Sequence, residues 1–143
     1  MEFLPRPRVL VADDEPDLRT LLKFAAVGAP FEVCFCEDGE DALQQYKKGA
    51  AQGRPFAGVV LDVEMPGYDG IRTAKIIRET DPALPIALLT VHDEAGTRIN
   101  AKGLGVSAYW VKPFVPADLV SCISQWLHEQ SFGPSFDTLD PVG

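Results

Sequence analysis

Apolar and polar positions along the chain switch repeatedly between two periods, and the switches mark out elements. Short apolar runs occupy about 8–12 (RVLVA), 31–36 (FEVCFC), 57–61 (AGVVL), 85–89 (PIALL) and 107–111 (SAYWV). Their length and their β-branched and aromatic content predict strands. Three of them are apolar almost throughout, as strands covered on both faces are. The second alternates, with Phe31, Val33 and Phe35 on one side and Glu32, Cys34 and Cys36 on the other, which predicts a sheet edge.

Between these runs apolar residues recur at helical spacing. The first helix opens with Pro16 and carries Leu18, Leu21, Leu22, Ala25 and Ala26 as its stripe. The second follows Asp38 and buries Ala42, Leu43 and Tyr46. The third is capped by Asp69, carries Ile71, Ala74 and Ile77, and stops before Asp81-Pro82. The fourth, about 93–103, is weak: its apolar positions are sparse, and Gly96 and Gly103 lower its propensity. The last starts near Pro116 and buries Leu119, Ile123, Trp126 and Leu127. Five such alternations predict parallel strands joined by right-handed helical crossovers, a three-layer α/β/α sandwich. One domain is expected over 7–130. The stretch 131–143 (SFGPSFDTLDPVG) has turn-forming composition and no period, and reads as a linker or tail.

Composition changes this picture only by exclusion. A chain of 143 residues with 46% hydrophobic and 24% charged residues suits one soluble domain. No apolar run approaches the roughly 20 residues that span a bilayer, and MEFLPRPR lacks the apolar core of a secretory signal. The formal net charge of −8 makes direct nucleic-acid binding by this segment a poor expectation. Three cysteines, Cys34, Cys36 and Cys122, suggest reduced thiols and a cytoplasmic location. Cys34 and Cys36 could hint at a structural metal, but neither His92 nor His128 supplies a zinc spacing, so plain strand cysteines are the better reading.

The candidate chemistry lies where the strands end. The first runs into Asp13 and Asp14, the third into Asp62, the fourth into Thr90 and the fifth into Lys112. Singly, each has a plainer reading: an acidic helix start, a turn residue before Met65-Pro66-Gly67, a helix cap, a loop lysine. Jointly they are harder to dismiss. In an open parallel sheet, ligands bind beyond the carboxyl ends of the strands, and these ends would bring three carboxylates, a hydroxyl and an ammonium to one crevice. Acids crowded there are tolerable if a divalent cation joins them.

The stretches VLVADDEPDLRTLL, VVLDVEMPGYDG, IALLT and AYWVKPF resemble the response-regulator receiver domain of two-component signalling (the CheY-like superfamily), in family order and across about 7–130. The resemblance implies a flavodoxin-like sheet with strand order 2-1-3-4-5. It also implies a phosphorylation-activated switch fed by a histidine kinase or phosphotransfer protein. Asp62 would be the phospho-acceptor. Asp13, Asp14, Asp62 and the backbone carbonyl of Glu64 would hold Mg²⁺. Lys112 and Thr90 would bind phosphoryl oxygens, and Lys112-Pro113 would be cis. Tyr109 would be the switch aromatic, its ring entering space that Thr90 vacates, so that the face of the fourth helix, fifth strand and fifth helix controls an output domain or downstream protein. Trp110 reads as a plain strand aromatic.

Some positions depart from the family pattern. Val91 stands where Ala or Gly is usual and predicts restricted access for small phosphodonors. Glu64 and His92 occupy the two variable positions that tune hydrolysis of the phosphoaspartate. Val115 cannot cap the last helix. The exposed side of that helix, with Ala117, Asp118, Ser121, Ser124 and Gln125, carries no arginine. That argues against the charge-paired dimer of winged-helix regulators, while some phosphorylation-dependent dimer stays open. Self-directed phosphotransfer and dephosphorylation are the only enzymatic steps expected. Three other functions compete: a degenerate receiver acting as an interaction module, a Mg²⁺-dependent aspartyl phosphatase with Glu64 as general acid, and flavin binding, against which the acids of the first loop argue.

Overall fold

The computed structural model describes residues 6–128. The last two residues of the expected domain and the whole of 131–143 therefore lie outside the described residues. Five strands, β1 (Arg8–Ala12), β2 (Glu32–Cys36), β3 (Gly58–Asp62), β4 (Ile86–Thr90) and β5 (Ala108–Val111), alternate with α1 (Pro16–Ala25), α2 (Gly39–Ala51), α3 (Gly70–Thr80), α4 (Ala95–Gly103) and α5 (Pro116–His128). The sheet is parallel with order β2-β1-β3-β4-β5, and β2 forms the predicted edge. The fold is the flavodoxin-like three-layer sandwich.

Every residue of β3 and β4 is buried, as strands covered on both faces require. One layer joins Leu10, Leu61, Leu88 and Tyr109 to Ala42, Ala74 and Ile77 from α2 and α3. The other joins Val9, Val11, Val60 and Leu89 to Leu18 and Leu22 of α1 and to Leu119, Ile123 and Trp126 of α5. Gly58 makes room for the Trp126 ring: a Cβ there would lie 3.1 Å from Cε3. No helix among the described residues is long and apolar enough to cross a membrane.

Several sequence expectations shift. Leu21 is exposed, because only Leu18 and Leu22, one turn apart, face the sheet squarely. Leu127 is half-buried. The fourth helix starts at Ala95, two residues later than expected, and buries only Ala101. Two expected strand ends move by one residue: Asp62 and Thr90 are the last rungs of β3 and β4, opposite Leu89 and Val111. Their polar side chains do not stop their backbones from joining the ladder.

Candidate functional site

The register carries the site. Ala12 pairs with Leu61, so Asp13 follows β1 at the level of Asp62, and Thr90 closes β4 on the far side of β3. The chain then secures each carboxylate locally. Asp13 Oδ1 accepts from the Glu15 N–H at 2.8 Å and Asp62 Oδ1 from the Glu64 N–H at 3.2 Å. Asp13 is fully buried and Asp62 is 3% exposed. Gly70 lets the start of α3 rest on the backbone of Asp62, since a Cβ at that position would meet the Asp62 carbonyl oxygen at 2.3 Å.

Among the described residues, the group of three acidic, histidine or cysteine side chains that could hold a metal is Asp13, Asp14 and Asp62. Their ligand oxygens lie within 4.8 Å of one another. Lys112 enters the same space. Its Nζ lies 2.9 Å from Asp13 Oδ2, 2.9 Å from Glu15 Oε1 and 3.0 Å from Asp62 Oδ2. The Lys112-Pro113 bond is cis. Burial alone would lower the lysine pKa, but hydrogen bonds to Asp13, Glu15 and Asp62 outweigh it and hold the ammonium firmly charged.

The balance is still negative: four carboxylates face one ammonium. Burial, together with the nearby charge of Asp13 and against the pull of Lys112, pushes the Asp62 carboxyl up to about 7. A compact hard-oxygen donor set with excess negative charge fits Mg²⁺, the ion receiver domains typically bind in such an acidic pocket. By contrast, burial and then the charges of Asp41 and Asp38 push the Cys36 thiol up to about 12, which leaves it protonated and a poor metal ligand.

Thr90 is fully buried and its hydroxyl is already engaged. It donates to Glu64 Oε1 at 2.7 Å, lies 3.1 Å from the His92 carbonyl, and accepts from the His92 N–H at 3.0 Å. His92 Nδ1 sits 3.2 Å from the same carboxylate oxygen. Partial burial raises the Glu64 pKa, but the contacts with Thr90 and His92 bring it below the ordinary carboxylate range. Val91 is half exposed on a groove that also touches Leu18, Leu21, Lys112 and Phe114. The Tyr109 ring, expected to move inward as Thr90 moves, is already fully buried in this structure, with the Arg98 guanidinium 4.7 Å from its centroid. Arg98 in turn pairs with Asp93 at 2.7 Å. Trp110 packs tilted against Phe114 at 5.4 Å, the plain aromatic role expected of it.

Sequence reasoning missed two participants, Glu15 and Arg98. Glu15, the third acid of ADDE, is a partner of Lys112, and the triplet itself was its signal. Arg98 meets Tyr109, and the expected tuning residue Glu64 meets Thr90, only through the fold, and no local pattern announces either contact.

Known proteins fit this geometry. The family model described as "Response regulator receiver domain" matches residues 9–124. The transcriptional regulatory protein PrrA of Mycobacterium tuberculosis is 35% identical over 124 residues, 87% of this chain and 51% of that protein. The alkaline phosphatase synthesis transcriptional regulatory protein PhoP of Bacillus subtilis is 36% identical over 112 residues, 78% of this chain and 45% of that protein. The chain thus spans about half the length of these curated relatives. Among solved structures, the response regulator DrrB of Thermotoga maritima, an OmpR/PhoB homologue, aligns with a TM-score of 0.74 at 26% identity, covering 87% of this chain and 54% of that one. The chemotaxis response regulator CheY4 of Vibrio cholerae aligns at 0.70 and 28% identity, covering 84% and 98%. Strand order, site and family match lead to one conclusion: the chain belongs to the response regulator receiver domains of two-component signalling.

Proposed function

We propose that Asp62 accepts a phosphoryl group from a phosphohistidine on a histidine kinase or phosphotransfer protein, with Mg²⁺ held by Asp13, Asp14, Asp62 and the backbone carbonyl of Glu64. One observation carries this reading: Asp13, Asp14, Asp62 and Lys112, from three distant parts of the sequence, converge within hydrogen-bonding or ligand distance at the carboxyl ends of β1, β3 and β5. An Asp62 oxygen attacks phosphorus in line. The new O–P bond forms as the P–N bond to the donor imidazole breaks, and the imidazole nitrogen keeps the electron pair. Lys112, already 3.0 Å from Asp62 Oδ2, is placed to neutralise an equatorial phosphoryl oxygen. The bound cation would screen the repulsion between two anions and favour the ionised nucleophile.

Thr90 is proposed as the group that binds another phosphoryl oxygen and turns phosphorylation into a change of shape. With Tyr109 already buried beneath Arg98, the change starts at Thr90 and the loop into α4 rather than with entry of the ring. The exposed apolar rim of Leu21 and Val91, on the groove that Phe114 and Lys112 also line, supports docking of a phosphodonor protein beside the site. Val91 in that rim is proposed to slow small donors, and Glu64 and His92, joined at 3.2 Å, to tune phosphoaspartate hydrolysis. A domain over 7–130, a cytoplasmic location, and an output domain or downstream protein complete the reading. The test is phosphotransfer in Mg²⁺ from a phosphorylated histidine donor. Wild type should gain an acid-stable, alkali-labile phosphoryl group, and Asp62→Ala should gain none. Equal labelling of both proteins would refute the assignment.

A further inference from the structure

We infer that the Glu64 side chain is an internal competitor of the phosphoryl group for the Thr90 hydroxyl, and so sets how readily this receiver enters its phosphorylated form. The inference rests on the proposed role of Thr90 above and adds a second occupant of the same bond. A threonine hydroxyl has one proton. Here its nearest acceptor is Glu64 Oε1 at 2.7 Å, ahead of the His92 carbonyl at 3.1 Å, while the oxygen accepts from the His92 N–H at 3.0 Å. Thr90 is fully buried, so no solvent-facing rotamer offers it a spare partner. To donate to a phosphoryl oxygen, it must first leave the carboxylate.

The carboxylate is well suited to be displaced. Its side chain is 39% exposed, so once released it is solvated rather than stranded. His92 Nδ1 at 3.2 Å steadies it in the engaged position. A charge-assisted hydrogen bond is stronger than a neutral one, so the engaged state opposes phosphorylation by a measurable factor. The backbone carbonyl proposed for the cation survives any substitution at this position.

Calorimetric titration with beryllofluoride in the presence of Mg²⁺ isolates the effect. Glu64→Ala should bind about tenfold more tightly than wild type, the factor that one charge-assisted hydrogen bond represents. Glu64→Gln, which keeps an acceptor without charge, should fall between. In a Thr90→Ala background, Glu64→Ala should bring no further gain, because there is no hydroxyl left to compete for. A gain of equal size in both backgrounds would mean simple repulsion between anions and would overturn the inference. So would an unchanged or weaker affinity in Glu64→Ala. If wild type itself fails to bind beryllofluoride, or Asp62→Asn binds it equally well, the phosphorylation reading fails first and this inference falls with it.

Discussion

α3 and α4 flank the same crevice, yet they are held in opposite ways. The start of α3 is fixed three times over. Asp69 caps it by accepting from the Arg72 N–H at 2.8 Å, Gly70 sits against the Asp62 backbone, and Gly70, Thr73, Ala74 and Ile77 are buried. At the start of α4, Glu94 makes no side-chain cap, and Ala101 is the helix's one buried residue. The far end of α4 is tethered by α3 itself, through Arg78 to the carbonyls of Leu104 at 2.7 Å and Gly105 at 3.0 Å. α4 is therefore fixed away from the site and loosely held beside it. One flank gives Asp62, the proposed phospho-acceptor, a rigid backing. The other can answer when Thr90 changes partner.

Breaking the rigid flank should have the largest effect. Gly70→Ala puts a methyl group into the Asp62 carbonyl, backbone against backbone, and should cost about 3 kcal/mol or more in denaturant unfolding. Loss below about 1 kcal/mol would show that α3 can shift and that the contrast is overstated.

A second substitution leaves both flanks alone and removes the strain between them. The Asp62 carboxyl titrates near 3.8 in the unfolded chain and near 7 in the metal-free fold. Below 3.8 both states hold the proton. As pH rises toward 7, the unfolded chain gives it up first, so this group's contribution to stability is lost across that window. Asp62→Asn should therefore raise the melting temperature at pH 7.5 without divalent cations, by about 2 kcal/mol in stability. The gain should shrink toward pH 4. Saturating Mg²⁺ should stabilise wild type and narrow the difference. A variant that is no more stable than wild type at pH 7.5 would contradict the picture of an over-acidic site.

The smallest effects compare the two helix starts directly. Asp69→Ala should cost about 1 kcal/mol, the worth of a cap, and Glu94→Ala less than about 0.5 kcal/mol. Equal costs would remove the asymmetry.

Much of this was legible in the sequence. The apolar runs located all five strands, and the polar residues at their ends named the groups that converge. The weak apolar spacing of 93–103 already marked α4 as the loosely held helix. The errors were local and had local causes. Leu21 lies in a helical apolar row wider than the strip that α1 buries. Asp62 and Thr90 are polar yet belong to their strands, because ladder bonds are made by backbone whatever the side chain. The bond from Thr90 to Glu64 joins residues 26 positions apart through rotamers that no periodicity encodes. The inward Tyr109 ring under Arg98 joins residues on β5 and α4 through side-chain rotamers, which the motif AYWVKPF does not encode.

Hydrogen exchange with and without beryllofluoride and Mg²⁺ tests the central claim, that the site is backed by one flank and read by the other. Altered protection is expected across the β4–α4 loop and the first turns of α4, with α3 unchanged from Gly70 to Thr80. Equal changes in α3 and α4, or changes in α3 alone, would contradict it.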